Sequence, residues 1–111
     1  MKLSDKQKKL PSMICLLIEF VIRETNLDMT FGDAYRDPRA TFPYSHPESL
    51  HKSRLAVDFN FSRNNKLVTE SEELIEVGEF WESIGGSWGG RFKTPNGPDG
   101  NHFSLEHNGM K

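Results

Sequence analysis

The stretch Leu55-Ala56-Val57-Asp58-Phe59-Asn60-Phe61 constrains the fold more than any other part of the chain. Leu55, Val57, Phe59 and Phe61 fall on one side and Ala56, Asp58 and Asn60 on the other, the period of a β-strand with one buried face. A carboxylate set among apolar neighbours on such a strand loses hydration that a partner must replace, and a cation would serve. A strand also needs neighbours. Met29 to Arg36 alternates in a way compatible with a second strand, with Gly32 marking a bulge or a close backbone approach, and His102-Phe103-Ser104-Leu105 reads as a short final one.

Helical periods occupy two other regions. Ser4-Asp5-Lys6-Gln7 has the form of a capping box, opening a short helical turn that Pro11 interrupts. A new helix is expected to begin at Pro11, carry Ile14, Leu17, Ile18, Val21 and Ile22 at helical spacing, and end near Asn26. Glu70 to Ile84 predicts a further helix, with Leu74, Val77, Trp81 and Ile84 on one stripe, Glu72, Glu73, Glu76 and Glu79 largely off it, and Gly85-Gly86 after it. Asp37 to Glu48, with three prolines, reads as a loop, Arg63-Asn64-Asn65-Lys66 as a turn, and Ser87 to Gly100 as irregular. Strands joined this closely leave no room for βαβ crossovers. The expected fold is α+β, a small, mainly antiparallel sheet with helices packed on it, forming a single domain over 1–111.

Composition closes off several functions. With 14 Lys and Arg against 16 Asp and Glu, the net charge is −2, and no basic stripe is present for phosphate contacts, so no nucleic acid partner is expected. Cys15 is the single cysteine, which rules out an internal disulfide and a C-x-x-C motif; within an apolar helix its thiol should stay protonated and inert. The apolar run from Met13 to Phe20 contains Glu19 and falls short of the ~20 residues that span a bilayer, so no membrane insertion is expected. The charged N-terminal residues do not read as a secretory signal, so a cytoplasmic location is expected.

His51, Asp58 and His102 are the candidate metal ligands. Two imidazoles and a carboxylate suit a borderline-soft ion such as Zn²⁺, and three protein ligands leave a fourth position open. Each has a plainer reading as well, since a histidine beside a strand is more often solvated or hydrogen-bonded than a ligand. Asp99, three residues before His102, could take the proton of an attacking water; Pro98-Asp99-Gly100 is equally a common turn sequence. Arg36 could hold a substrate carboxylate with its planar fork, or serve as a surface ion-pair partner. His46 and His107 have polar, loop-like surroundings and are given no role. Phe80, Trp81, Trp88 and Phe92 read as core and cleft wall.

Ser49-Leu50-His51-Lys52-Ser53-Arg54-Leu55-Ala56-Val57-Asp58 is similar to the S-x-H-(x)4-A-x-D signature of the zinc peptidases that include D-alanyl-D-alanine carboxypeptidases and phage L-alanyl-D-glutamate endopeptidases. Asp99-Gly100-Asn101-His102 resembles their second signature, a carboxylate followed at +3 by the last zinc ligand. Ala34-Tyr35-Arg36 and Trp88-Gly89-Gly90-Arg91-Phe92 fit the endopeptidase branch, and the resemblance runs from about Leu3 to Ser104. Arg54 departs from it, because many relatives have Gly there.

The resemblance implies one Zn²⁺ per chain, bound by His51, Asp58 and His102. It further implies that Asp99 is general base and later proton donor, and that Arg36 binds substrate or stabilises the oxyanion. The implied substrate is a peptidoglycan stem peptide, cut between L-Ala and D-Glu by a phage or prophage endolysin that waits in the cytosol until a holin opens the membrane, or by a piece of a virion or host remodelling system; a monomer is expected. Two alternatives stay open: a D,D-carboxypeptidase or dipeptidase of the same family, and a non-catalytic zinc-binding module.

Overall fold

A computed structural model describes residues 1–40 and 46–111. Part of the expected Asp37 to Glu48 loop therefore lies outside the described residues.

The first helix, α1 (Leu3–Glu24), is continuous through Pro11. Lys2 occupies its N-cap position with no side-chain cap bond, so the expected capping box at Ser4 and the break at Pro11 are both absent. Packing explains the difference. Leu10, Met13, Leu17 and Val21 form one buried stripe that crosses the proline, and Gln7 Nε2 donates to the Ser53 carbonyl at 2.8 Å ahead of it. Tertiary contacts on both sides of Pro11 outweigh the one helical bond its ring removes, a local cost of ~3 kcal/mol in an unsupported helix. Ile22, expected on the stripe, is exposed, while Ile14 and Ile18 only border the core. Cys15 is exposed rather than enclosed by apolar neighbours.

The sheet is built around β2 (Ala56–Arg63), which pairs antiparallel with β1 (Asp28–Phe31) on one side and β5 (His102–Ser104) on the other. Two shorter strands complete it: β3 (Lys66–Leu67), a hairpin partner of β2, and β4 (Ser87–Trp88), which pairs with β5. The order is β1-β2-β5-β4, with β3 off this path. Asn64 and Asn65 take φ of 52° and 64°, the left-handed pair that a two-residue hairpin turn needs. The expected Met29 to Arg36 strand is shorter than its alternation suggested, because β1 ends at Phe31.

Glu70 to Ile84 divides into a 3-10 turn (Ser71–Leu74) and α2 (Ile75–Ser83), with Leu74, Val77 and Trp81 buried as expected. Trp81 is fully buried beside Phe59, Phe61, Phe103 and Leu17 in a core shared by both helices and the inner face of β2. Its indole N–H is shared between the Ser87 carbonyl (3.1 Å) and the Ser104 carbonyl (3.0 Å), which ties α2 to both β4 and β5. Phe80 stacks on Phe20 of α1 with ring centroids 4.3 Å apart. The Ser87 to Gly100 segment is less irregular than expected, since it contains β4 and a 3-10 turn at Gly89–Arg91. No helix among the described residues is long and apolar enough to cross a membrane. These elements make a small α+β domain with an antiparallel sheet and two helices, the expected fold class.

Candidate metal centre

The face of β2 turned away from the core carries Asp58, and the register places His102 of β5 directly opposite it. Residues so paired share one face of a sheet, which brings the carboxylate and imidazole together without help from any loop. His51 arrives from a 3-10 turn (Leu50–Ser53) that Ser49 caps by accepting the His51 N–H on its hydroxyl at 3.3 Å. Buried Leu50 anchors this turn to the core. Arg54 ends it in the left-handed region (φ 56°, ψ 34°), and the chain then enters β2 through Leu55. Glycine adopts that backbone freely, which accounts for its occurrence there in the resembled family.

Asp58 Oδ1 lies 3.2 Å from His51 Nε2 and 3.3 Å from His102 Nδ1. One ligand atom from each residue falls within 4.8 Å of the others. His51 Nδ1 sits 2.8 Å from the Ala34 carbonyl, which can only accept, so Nδ1 carries the proton and Nε2 presents a lone pair to Asp58. Two acceptors facing each other repel unless a positive charge lies between them. Among the described residues, Asp58 Oδ1 and His102 Nε2 are buried side-chain atoms with no hydrogen-bond partner.

Electrostatics tell the same story. Burial works against ionised Asp58, yet the two imidazoles more than reverse it and hold the carboxyl at about 2. Burial likewise opposes charging of His51, but the Asp58 carboxylate and the Ala34 carbonyl outweigh it and raise its proton affinity, against a smaller opposing effect from Arg36. The pocket is therefore built for a cation, with a proton as stand-in when no metal is bound. Two imidazole nitrogens and a carboxylate oxygen, with the buried Asp58 Oδ1 lacking a hydrogen-bond partner among them, fit a zinc-type ion, and these three residues would hold it.

Asp99 adjoins this cluster in a tightly bonded turn. Its carbonyl accepts the His102 N–H at 3.2 Å, its N–H donates to the Gly89 carbonyl at 2.9 Å, and its Oδ1 accepts the Asn101 N–H at 3.2 Å. The turn reading of Asp99 thus holds alongside its nearness to the site. Partial desolvation and the negative charge of Asp58 push its pKa up from the usual carboxylate range, against a smaller opposing effect of His102. Gly89 lets the segments approach, because a Cβ there would collide with the Asp99 carbonyl and stand 2.7 Å from His102 Cβ. Trp88, through its indole N–H on the Gly100 carbonyl at 2.9 Å, fixes the same turn from the core side. Phe92 packs on the His102 ring with centroids 5.2 Å apart, as a cleft wall should.

Arg36 lies just beyond β1 rather than at a strand end. Its side chain is only 11% exposed, reaching Asp33 and the Ser49 hydroxyl at 3.4 Å each, while its N–H donates to the His51 carbonyl at 3.0 Å. It braces the turn that carries His51. His46 and His107 stay outside the cluster: His46 Nδ1 accepts the Glu48 N–H, and His107 Nδ1 faces the Lys6 ammonium at 3.2 Å. Ala34 and Gly89 stand in the motifs Ala34-Tyr35-Arg36 and Trp88 to Phe92, which give no sign of their supporting roles, and Ser49 is the hydroxyl residue two positions before His51.

The family model described as D-alanyl-D-alanine carboxypeptidase matches residues 44–105, more than half of the chain. The fold resembles the crystal structure of the Serratia marcescens L-Ala D-Glu endopeptidase ChiX, with a TM-score of 0.63 at 19% identity over 93% of this chain and 85% of that one. No curated protein sequence matches. The family match spans both the turn with His51 and the strand with His102, and the chain belongs to the D-alanyl-D-alanine carboxypeptidase family of M15 metallopeptidases.

Proposed function

We propose that the chain is a zinc-dependent endopeptidase of peptidoglycan stem peptides that cuts between L-Ala and D-Glu. The observation that carries this reading is the convergence of His51, Asp58 and His102 on one point with Asp99 alongside. One Zn²⁺ per chain, held by those three residues, would polarise the scissile carbonyl and lower the pKa of a water toward ~7. Asp99, its proton affinity raised by its surroundings, takes the proton of the attacking water and returns it to the leaving amine. Its Oδ1 is engaged by the Asn101 N–H, which fixes the carboxylate at that oxygen. Ala34 keeps the proton of His51 on Nδ1 and the Nε2 lone pair turned inward. Arg36 presents positive charge beside His51, where it supports substrate binding or a developing oxyanion.

The endopeptidase branch is favoured by the Ala34-Tyr35-Arg36 and Trp88 to Phe92 motifs. A monomeric endolysin of phage type, released from the cytosol through a holin, is the setting we assign it. The description of the matching family favours a second reading, a D,D-carboxypeptidase that releases terminal D-Ala. Purified peptidoglycan incubated with zinc-loaded protein and analysed by mass spectrometry separates them. New amino termini on D-Glu are expected, whereas D-Ala alone would establish the carboxypeptidase, and no release at all would make the domain a binding module.

A further inference from the structure

Asn60 and Asn101 meet beside the proposed centre, Asn60 outside both signatures and Asn101 at a position the second one leaves unspecified. Asn60 lies two residues beyond Asp58 on β2, so it shares the outward face of the strand at a distance of about 7 Å along it. Asn101 directly precedes His102 and is fixed by three bonds: its carbonyl accepts the Phe59 N–H at 3.0 Å, its N–H donates to Asp99 Oδ1 at 3.2 Å, and its side-chain amide donates to Asn60 Oδ1 at 3.3 Å. The first extends the ladder between β2 and β5 past its last paired residues. The second sets the direction of the Asp99 carboxylate. The third ties residue 101 to a strand that cannot move without moving Asp58.

We propose that the Asn60–Asn101 amide pair is a positioning device that holds the Asp99 carboxylate in register with Asp58 and His102. The inference rests on the reading of Asp99 as the proton acceptor. In the Pro98-Asp99-Gly100 turn, Pro98 and Asp99 are exposed while Gly100 is buried, and the bonds that hold its backbone, between Gly100 and both Trp88 and Ser71 and from the Asp99 N–H to Gly89, leave the Asp99 side chain to be fixed from the solvent side. Asn60 adds a side-chain restraint on Asn101 from the open face, where an apolar side chain could not. A carboxylate that must reach one water loses rate steeply with small displacements, so a restraint far weaker than a ligand bond still matters to turnover.

The test uses the full chain with Asn60→Ala, a substitution at an exposed position. Zinc stoichiometry and Tm should match wild type, kcat should fall ~10-fold with KM unchanged, and the same substitution in an Asp99→Asn background should cost nothing further. Hydrogen exchange of the Asn101 amide, followed by NMR, should quicken ~10-fold in Asn60→Ala and stay slow in Asn60→Asp, which keeps the acceptor oxygen. An equal loss in both Asp99 backgrounds, a rise in KM with kcat unchanged, or unaltered Asn101 exchange would each overturn the proposal. If wild-type protein leaves peptidoglycan intact, the functional reading fails, and the exchange measurement still decides whether Asn60 restrains the Asp99 turn.

Discussion

Gly32 donates its backbone N–H to the Asp58 carbonyl at 2.8 Å, and Asp58 returns the bond to the Asp33 carbonyl at 2.7 Å. The ladder thus continues past the end of β1 at the one residue whose side chain must be aimed. A Cβ on Gly32 would stand 3.1 Å from the Asp58 carbonyl oxygen and 3.3 Å from its Cβ. Gly32→Ala should therefore push β1 away from Asp58, lowering stability by ~1–3 kcal/mol and weakening metal binding with it. Denaturant titration and zinc competition against a chelating dye measure the two effects. A stable variant with unaltered zinc affinity would show that the strands absorb the methyl group.

Protein purified without chelator should contain one zinc per chain, and His51→Ala or His102→Ala should lose it. Asp58→Asn should weaken binding, because the amide keeps an oxygen but removes the charge that the imidazoles stabilise. Chelation should abolish activity before it unfolds the chain, since the core of Trp81, Phe59, Phe61 and Phe103 forms without help from the site. Elemental analysis and circular dichroism follow both, and simultaneous loss of metal and fold would instead assign a structural ion.

Asp99→Asn should retain zinc and lower turnover by ~100-fold or more. The amide can still accept the Asn101 N–H, so the turn should persist and Tm should change little. Activity equal to wild type would reduce Asp99 to the turn residue that its hydrogen bonds also describe.

Arg36→Lys should keep zinc while losing catalytic efficiency worth ~1.5–3 kcal/mol if one charge-assisted hydrogen bond to substrate is lost. A lysine cannot bridge Asp33 and Ser49 at once, so the turn bearing His51 should also loosen. Steady-state kinetics on a cleaved stem peptide, compared with zinc affinity, distinguish these effects; an unchanged rate would leave Arg36 as a brace alone.

Arg54 pairs an unfavourable backbone with a favourable contact, its guanidinium lying 4.1 Å from the centre of the Tyr35 ring. Arg54→Gly should be near neutral, because relief of ~1 kcal/mol in the left-handed region offsets a cation–π contact of similar size. Arg54→Ala keeps the backbone cost and loses the contact, so it should be the less stable of the two by thermal melting. The reverse order would mean that Tyr35 contributes nothing to holding Arg54.

The strand with Asp58 and the segment opening at His102 were legible because period-two alternation and a carboxylate among apolar residues are local signals. The α2 stripe was legible for the same reason. Pro11 misled because the sequence displays its missing N–H but not the packing of Leu10 and Met13 on either side of it. Ser87-Trp88 was missed as a strand because two residues carry no period, and only the partner β5 defines it. Of the site, the sequence showed the residues with chemistry but not their supports. The Ala34 carbonyl, the Gly89 approach and the Asn60 contact exist only through pairings between segments distant in the chain.

Both tryptophans bond to the backbone on either side of His102, Trp88 at Gly100 and Trp81 at Ser104. Each indole is shielded from water, so its emission should lie toward the blue while these bonds hold. The chain thereby carries two built-in optical reporters flanking the strand on which the proposed centre depends. Trp88, on the side of the Asp99 turn, should respond to occupancy of the site, and Trp81, bonded from the core, to global unfolding. Single-tryptophan variants would then let a fluorimeter follow loading and denaturation as separate events in one molecule, with no dye attached.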